Sequence, residues 1–145
     1  MKINKAFKFR LYPTEEQKKQ LACQFGTARF VFNWGLRARI DYYAANKEVK
    51  KKGLNYFDTA RMLTALKKNP EFVWLNEANS QALQMSLRHL DSAYQHGFKD
   101  KFQFPKFKKK SNKQSFTIPQ HFSVSCERDA IKIPKIGTLK VVAHR

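Results

Sequence analysis

Acidic residues are scarce in this 145-residue chain, with eleven against 29 lysines and arginines, and the formal charge is +18. Metal-assisted phosphodiester cleavage needs several carboxylates converging on one or two divalent ions. The acids here have other roles: Glu15 and Glu16 suit a helix N-terminus, Glu127 and Asp129 a turn, and Glu48 stands in a lysine run. Nuclease activity from this chain alone is therefore not expected. Cysteine is just as sparse. Cys23 and Cys126 are far apart and have no second thiol nearby, which excludes a disulfide framework and zinc-type spacing. Both read as buried apolar thiols, Cys126 on the inward parity of a strand with Phe122 and Val124. His89 and His96 stand seven apart on one helix instead of the four that clamps a metal. There is no apolar run of about 18 residues, no signal core after the N-terminus and no lipidation motif, so no membrane partner is expected and the cytoplasm is the expected location.

What the chain has in abundance is positive charge. Such an excess repels itself and is most simply explained by a polyanionic partner, nucleic acid being the commonest. Residues 98 to 122, FKDKFQFPKFKKKSNKQSFTIPQHF, place seven lysines in the fifteen positions from Lys99 to Lys113 and interleave them with Phe98, Phe102, Phe104, Phe107, Phe116 and Phe122. Lysines such as Lys106, Lys108, Lys109, Lys110 and Lys113 neutralise phosphates, and aromatic rings either anchor the segment or stack on bases. A solvated basic loop beside a core strand is the competing reading.

Periodicity predicts the elements. Ile3, Phe7, Phe9 and Leu11 share one parity and predict a half-buried strand that Pro13 stops. Thr14 and Gln17 then form a capping box, and Leu21, Phe25, Ala28, Phe32 and Leu36 predict a long helix to about Tyr43. Asp58 caps a second helix through Lys67, with Met62, Leu63 and Leu66 inward, until Asn69 and Pro70 break it. A third helix begins near Ser80 with Leu83, Leu87, Leu90 and Tyr94 on one stripe. After Gly97 the alternation turns to strands around Phe116 and Ile118, Phe122 to Cys126, Ile131 and Ile133, and Leu139 and Val141, with a turn at residues 127 to 129. The fold class is α+β: the N-terminal strand joins the C-terminal ones in a barrel-like domain, residues 1–13 and 103–145, and residues 14–102 form an inserted three-helix subdomain.

Two helix faces could touch nucleic acid. On the third helix Gln81, Gln84, Arg88, Asp91 and Gln95 fall within about 80° of one another at 100° per residue, about 110° round the helix from the leucines. Glutamine pairs with adenine and arginine with guanine, so the face suits base reading, and it equally suits plain solvation. On the first helix Arg29, Asn33 and Arg37 form a polar row whose arginines either snorkel over the core or meet a phosphate backbone.

The order of segments KAFKFRLYPTEEQ, GTARFVFNWGLRARI, LKKNPEFVWL, SQALQMSLRHLDSAY, FPKFKKKSNKQSFT and IKIPKIGTLKV resembles the N-terminal part of the TnpB, or OrfB-type transposase, family of transposon-encoded RNA-guided DNA nucleases. The resemblance implies a wedge β-barrel with an inserted helical recognition domain, and guide RNA and target DNA as partners. It implies that Tyr56, Gln84 and Thr117 sit where relatives contact a target-adjacent DNA motif, that Ala60 and Gln81 are neighbouring variable positions, and that Lys106, Lys108, Lys109 and Lys110 face a nucleic-acid backbone. The family's RuvC-like carboxylates and zinc-binding CxxC pair match nothing here. The chain is accordingly expected to be a catalytically empty, truncated member without magnesium or zinc of its own, with a separate chain as one possible source of the nuclease. The alternatives are a standalone sequence-specific DNA-binding regulator and a non-functional remnant.

Overall fold

A computed structural model describes residues 2–48, 53–100, 103–125 and 127–143. In chain order these form β1 (Phe9–Tyr12), α1 (Glu15–Ala45), α2 (Tyr56–Leu66), a 3₁₀ helix (Pro70–Glu77), α3 (Ser80–Lys99), β2 (Ser123–Ser125), β3 (Ala130–Ile133) and β4 (Gly137–Ala143). The class is α+β. Contacts divide the chain into two compact units, Met1–Ala22 with Gln120–Arg145, and Cys23–Pro119.

The first unit is a four-stranded antiparallel sheet in the order β1-β4-β3-β2. Leu139 and Val141 alternate with exposed Lys140 and join Ile133 and Ile136 in a small core, as the period of two requires. Lys135 and Gly137 take positive φ values of 70° and 95° and close the β3–β4 turn. At the start of α1 the capping box forms: Thr14 N donates to Gln17 Oε1 (2.9 Å) and Gln17 N donates to Thr14 Oγ1 (3.2 Å). Gln17 Nε2 also donates to the Thr138 carbonyl at 2.7 Å, tying the helix start to β4.

The strands are fewer and shorter than periodicity predicts. Among the described residues only Phe9–Tyr12 of the first segment pairs, with Phe9 opposite Ala143; Ile3 and Phe7 are 70% and 66% exposed. Residues 115 to 118 form no strand, since Phe116 packs edge to face on Phe25 and no ladder holds their backbone. Phe122 and Val124 are exposed, so the inward parity expected there does not hold: β2 pairs with β3 alone at the sheet's edge. Cys126 lies outside the described residues. The sheet is open among the described residues and does not close into a barrel.

The second unit packs α1, α2, the 3₁₀ helix and α3 around Val31, Phe32, Leu36, Leu63, Leu75, Leu83, Leu87 and Leu90. Of the predicted α1 stripe, Ala28, Phe32 and Leu36 are buried and Leu21 and Phe25 are half-buried. Burial also takes in Gln24, Thr27, Val31, Gly35 and Arg39, a stripe two rows wide. Gly35 marks the closest approach: a Cβ there would lie 2.8 Å from Leu87 Cδ2 and 2.9 Å from Leu90 Cδ2. Cys23 is exposed and not buried, because the buried face of α1 at this turn is that of Gln24 and Thr27.

Asn55, and not Asp58, is the N-cap of α2. The Asn55 side chain accepts from Asp58 N (3.0 Å) and the Asp58 carboxylate accepts from Asn55 N (2.9 Å). Tyr56, Thr59 and Leu63, at spacings of three and four, form the buried face, and Met62, about 100° round from Leu63, is 39% exposed instead of inward. Asn69 and Pro70 do end α2, and they also open the 3₁₀ helix that delivers the fully buried Leu75. Asn79 caps α3 through Ala82 N at 2.9 Å. Gly97 does not end α3; the missing Cβ makes room for the Phe104 ring, which such an atom would approach to 2.5 Å.

Leu87 is fully buried at the α1–α3 contact, so Leu87→Ala is expected to destabilise the chain by about 2–5 kcal/mol. Met62→Ala is expected to change stability by less than about 0.5 kcal/mol. Urea unfolding followed by far-ultraviolet circular dichroism distinguishes the two, and equal losses would contradict the packing described.

Candidate nucleic-acid interface

The lysine-rich segment is laid on the helices by side chains, without a strand ladder. Asn33 brackets it: Asn33 Nδ2 donates to the Lys108 carbonyl at 2.9 Å, and Lys108 N donates to Asn33 Oδ1 at 2.8 Å. The Arg37 guanidinium lies 4.9 Å from the Phe107 ring centre and Lys108 Nζ 4.2 Å from that of Phe32. Phe104 packs on Gly97, Tyr94 and Phe98. Of the two roles open to its aromatic residues, Phe104, Phe107 and Phe116 therefore take that of anchors, each partly open to solvent. Lys106, Lys109, Lys110 and Lys113 are exposed. Phe102 lies outside the described residues.

One cleft gathers several of the candidates. Arg29 from α1, His89 from α3, and Lys108, Lys109 and Lys113 line it, with Phe25 and Phe116 forming an apolar wall. No carboxylate is among its lining residues. Partial burial pushes the Lys108 ammonium below its ordinary pKa. Partial burial, and then the charge of Lys108, push the His89 imidazole down. Lys106 and Lys110 stand outside this cleft. Asn33 and Arg37 position the segment and leave the cleft's lining to others.

On the other side of α3, the Arg88 guanidinium lies 4.1 Å from the ring centre of Tyr56, which is only 9% exposed and meets the exposed Phe57 edge to face. Gln84, one turn before Arg88, is exposed. Gln81 is half-buried, and its buried Oε1 has no hydrogen-bond partner among the described residues. Thr117 is half-buried in the extended segment. The predicted polar face of α3 is not uniform: Asp91 turns to α1 and pairs with Arg39, which is 5% exposed and stacks on Tyr94.

Sequence reasoning missed His89 as a lining residue, having weighed it only with His96 for metal ligation. The available signal was Ser86 and His89, three apart on one face of a capped helix. It also missed Arg39 as the partner of Asp91, since a basic residue within an apolar stripe gives no hint of its mate. Among the described residues no group of three or more His, Cys, Asp or Glu could hold a metal ion. Nor is any described helix long and apolar enough to cross a membrane.

Asn33→Ala removes both bracket hydrogen bonds, each contributing about 1 kcal/mol. Exchange of the Lys108 amide hydrogen, followed by NMR, is expected to quicken by about tenfold or more while the amides of Leu87 and Leu90 keep their protection. Unchanged exchange at Lys108 would rule out the bracket.

A family model described as a helix-turn-helix domain, of the OrfB type of the IS605 group, matches residues 1–48, the span that holds β1 and α1. The chain is 35% identical over 140 residues to "Putative RNA-guided DNA endonuclease InsQ" of Escherichia coli (strain K12), covering 97% of this chain and 34% of that protein. It is 33% identical over 114 residues to "Putative RNA-guided DNA endonuclease" of Streptomyces pristinaespiralis, covering 78% of this chain and 27% of the relative. The chain thus spans about a third or less of the length of these two relatives. It covers 96% of a third, "Virulence protein VsdF" of Salmonella dublin, at 32% identity over 118 residues, 75% of this chain. With the ordered segments of the sequence, these matches establish that the chain belongs to the TnpB, or OrfB-type, family and corresponds to its N-terminal region.

Proposed function

We propose that this chain supplies the nucleic-acid grip of a TnpB-type RNA-guided DNA endonuclease, holding guide RNA and target DNA while other residues cut. The observation that carries this reading is the cleft of Arg29, His89, Lys108, Lys109 and Lys113 without one carboxylate, on a chain of charge +18. Uncompensated cations held that close repel one another, and phosphates relieve the repulsion while releasing counterions. Exposed Lys106 and Lys110 extend the basic surface along the same segment. In this reading Tyr56, Gln84, Arg88 and Thr117 meet the target-adjacent DNA motif, Gln84 and Arg88 by hydrogen bonds to bases, with Gln81 beside them. The four-stranded sheet is the described part of a wedge-type barrel, and the helices form the inserted recognition domain. Base pairing with the guide then carries most of the sequence specificity.

Grip is favoured over cutting because several acids are already engaged. Glu15 pairs with Lys18 and Asp41 with Arg37; Asp58 closes the α2 capping box and holds Arg61, and Asp91 holds Arg39. The nuclease carboxylates, with any magnesium or zinc, are then carried by other residues, on the same polypeptide or on a separate chain. A standalone DNA-binding regulator is the second reading, prompted by the helix-turn-helix match. It requires sequence-specific duplex binding without RNA, usually as a dimer.

The test is purification at low salt followed by analysis of bound nucleic acid and a salt titration. Structured RNA is expected to copurify. With six or more phosphates engaged, affinity should fall about a thousandfold or more between 50 and 200 mM salt. The triple variant Lys109→Gln, Lys110→Gln, Lys113→Gln should lower the slope of log affinity against log salt by about 2 to 3. Indifference to RNA and DNA at low ionic strength would end this reading.

A further inference from the structure

We infer that the cleft between α1, α3 and the Lys108–Lys113 turn seats a single backbone phosphate, and that His89 takes up a proton when the seat is filled. The inference rests on the function proposed above and adds to it a ligand group and a proton linkage. The cleft's free volume, about 20 Å³ for the centre of a water-sized group, has room at its floor for one small polar atom such as a phosphate oxygen. The basic residues that line it come from separate elements: Arg29 from α1, His89 from α3, and Lys108, Lys109 and Lys113 from the turn. Ser115 adds a neutral hydroxyl to the lining, whereas the Ser86 hydroxyl already donates to the Ala82 carbonyl at 3.3 Å. Phe25 and Phe116, with ring centres 5.0 Å apart, form an apolar wall on one side of the cleft.

The groups facing His89 across this cleft are all cationic: Arg29 from α1, and Lys108, Lys109 and Lys113 from the turn. On its own helix, neighbouring Arg88 is turned to Tyr56 and Asp91 to Arg39. Burial and the Lys108 charge both disfavour the imidazolium in the empty cleft. A phosphate among these cations offsets their field and brings an acceptor for the imidazolium N–H, so the His89 pKa rises on occupation. By linkage, protonation strengthens phosphate binding by the factor with which phosphate strengthens protonation. The sign follows. Affinity is flat above the occupied-state pKa, climbs as pH falls toward the empty-state pKa, and is flat again below it. A rise of about one pH unit corresponds to about a tenfold gain in affinity.

The imidazole nitrogens of the full 145-residue chain, labelled with ¹⁵N, can be titrated by NMR from pH 5 to 8.5 with and without pyrophosphate. His89 is expected to shift upward by about one unit, and more than His96 or His121; an unmoved His89 overturns the inference. In parallel, affinity for a structured RNA is measured at pH 5.5 and 8.0. The gain on acidification should be about tenfold larger in the unaltered chain than in His89→Gln, and equal gains overturn the inference while leaving the proposed grip intact. Movement of His89 by pyrophosphate in a chain that binds neither RNA nor DNA supports an anion seat and overturns the nucleic-acid reading.

Discussion

Two hydrogen bonds between the Asn33 side chain and the Lys108 backbone turn a basic stretch of sequence into a surface. Lysines on a free segment would spread apart under their own repulsion. Here one amide satisfies both the donor and the acceptor of a single residue, and Phe104, Phe107 and Phe116 set the neighbouring residues against α1 and α3. Charge is thereby gathered against its own repulsion, and packing energy from the helices holds it in place.

That arrangement depends on a rigid platform. Gly35 lets α1 approach Leu87 and Leu90 of α3 closely, and Gly97 gives the Phe104 ring its place on α3. A glycine within a helix costs about 1 kcal/mol relative to alanine. Both glycines offset that cost by permitting contacts that a Cβ would obstruct. The Arg39–Asp91 pair links the same two helices with a nearly buried charge and occupies an acid that would otherwise face the basic surface. Arg88, by contrast, spends its charge over Tyr56 and stays exposed, so α3 carries a structural ion pair and an open cation only three residues apart.

How much could be read beforehand varied with the kind of signal. Leucines at helical spacing identified the α3 core, and Thr14 with Gln17 identified the start of α1, because these are local patterns with a local physical cause. The strand readings at residues 3 to 8 and 115 to 118 went astray for the opposite reason. Alternation states which side chains could share a face, but a strand needs a partner ladder, and among the described residues the β1–β4 ladder runs from Phe9 opposite Ala143 to Tyr12 opposite Lys140. Met62 was misplaced by helical phase, since it lies about 100° round the helix from buried Leu63, and Cys23 was misplaced because an apolar thiol without a partner does not say which face of α1 it occupies.

Composition alone determined the charge of +18, which favours a polyanionic counterpart, and the ratio of eleven acidic to 29 basic side chains. Local patterning determined its α+β class and the leucines of α3. Only the folded chain decided which basic side chains share a cleft, because Arg29, His89 and Lys108 are brought together by contacts between residues far apart in sequence. Only it decided the surroundings of His89, whose imidazole is pushed down by partial burial and then by the charge of Lys108, neither of which can be read from the residues beside it.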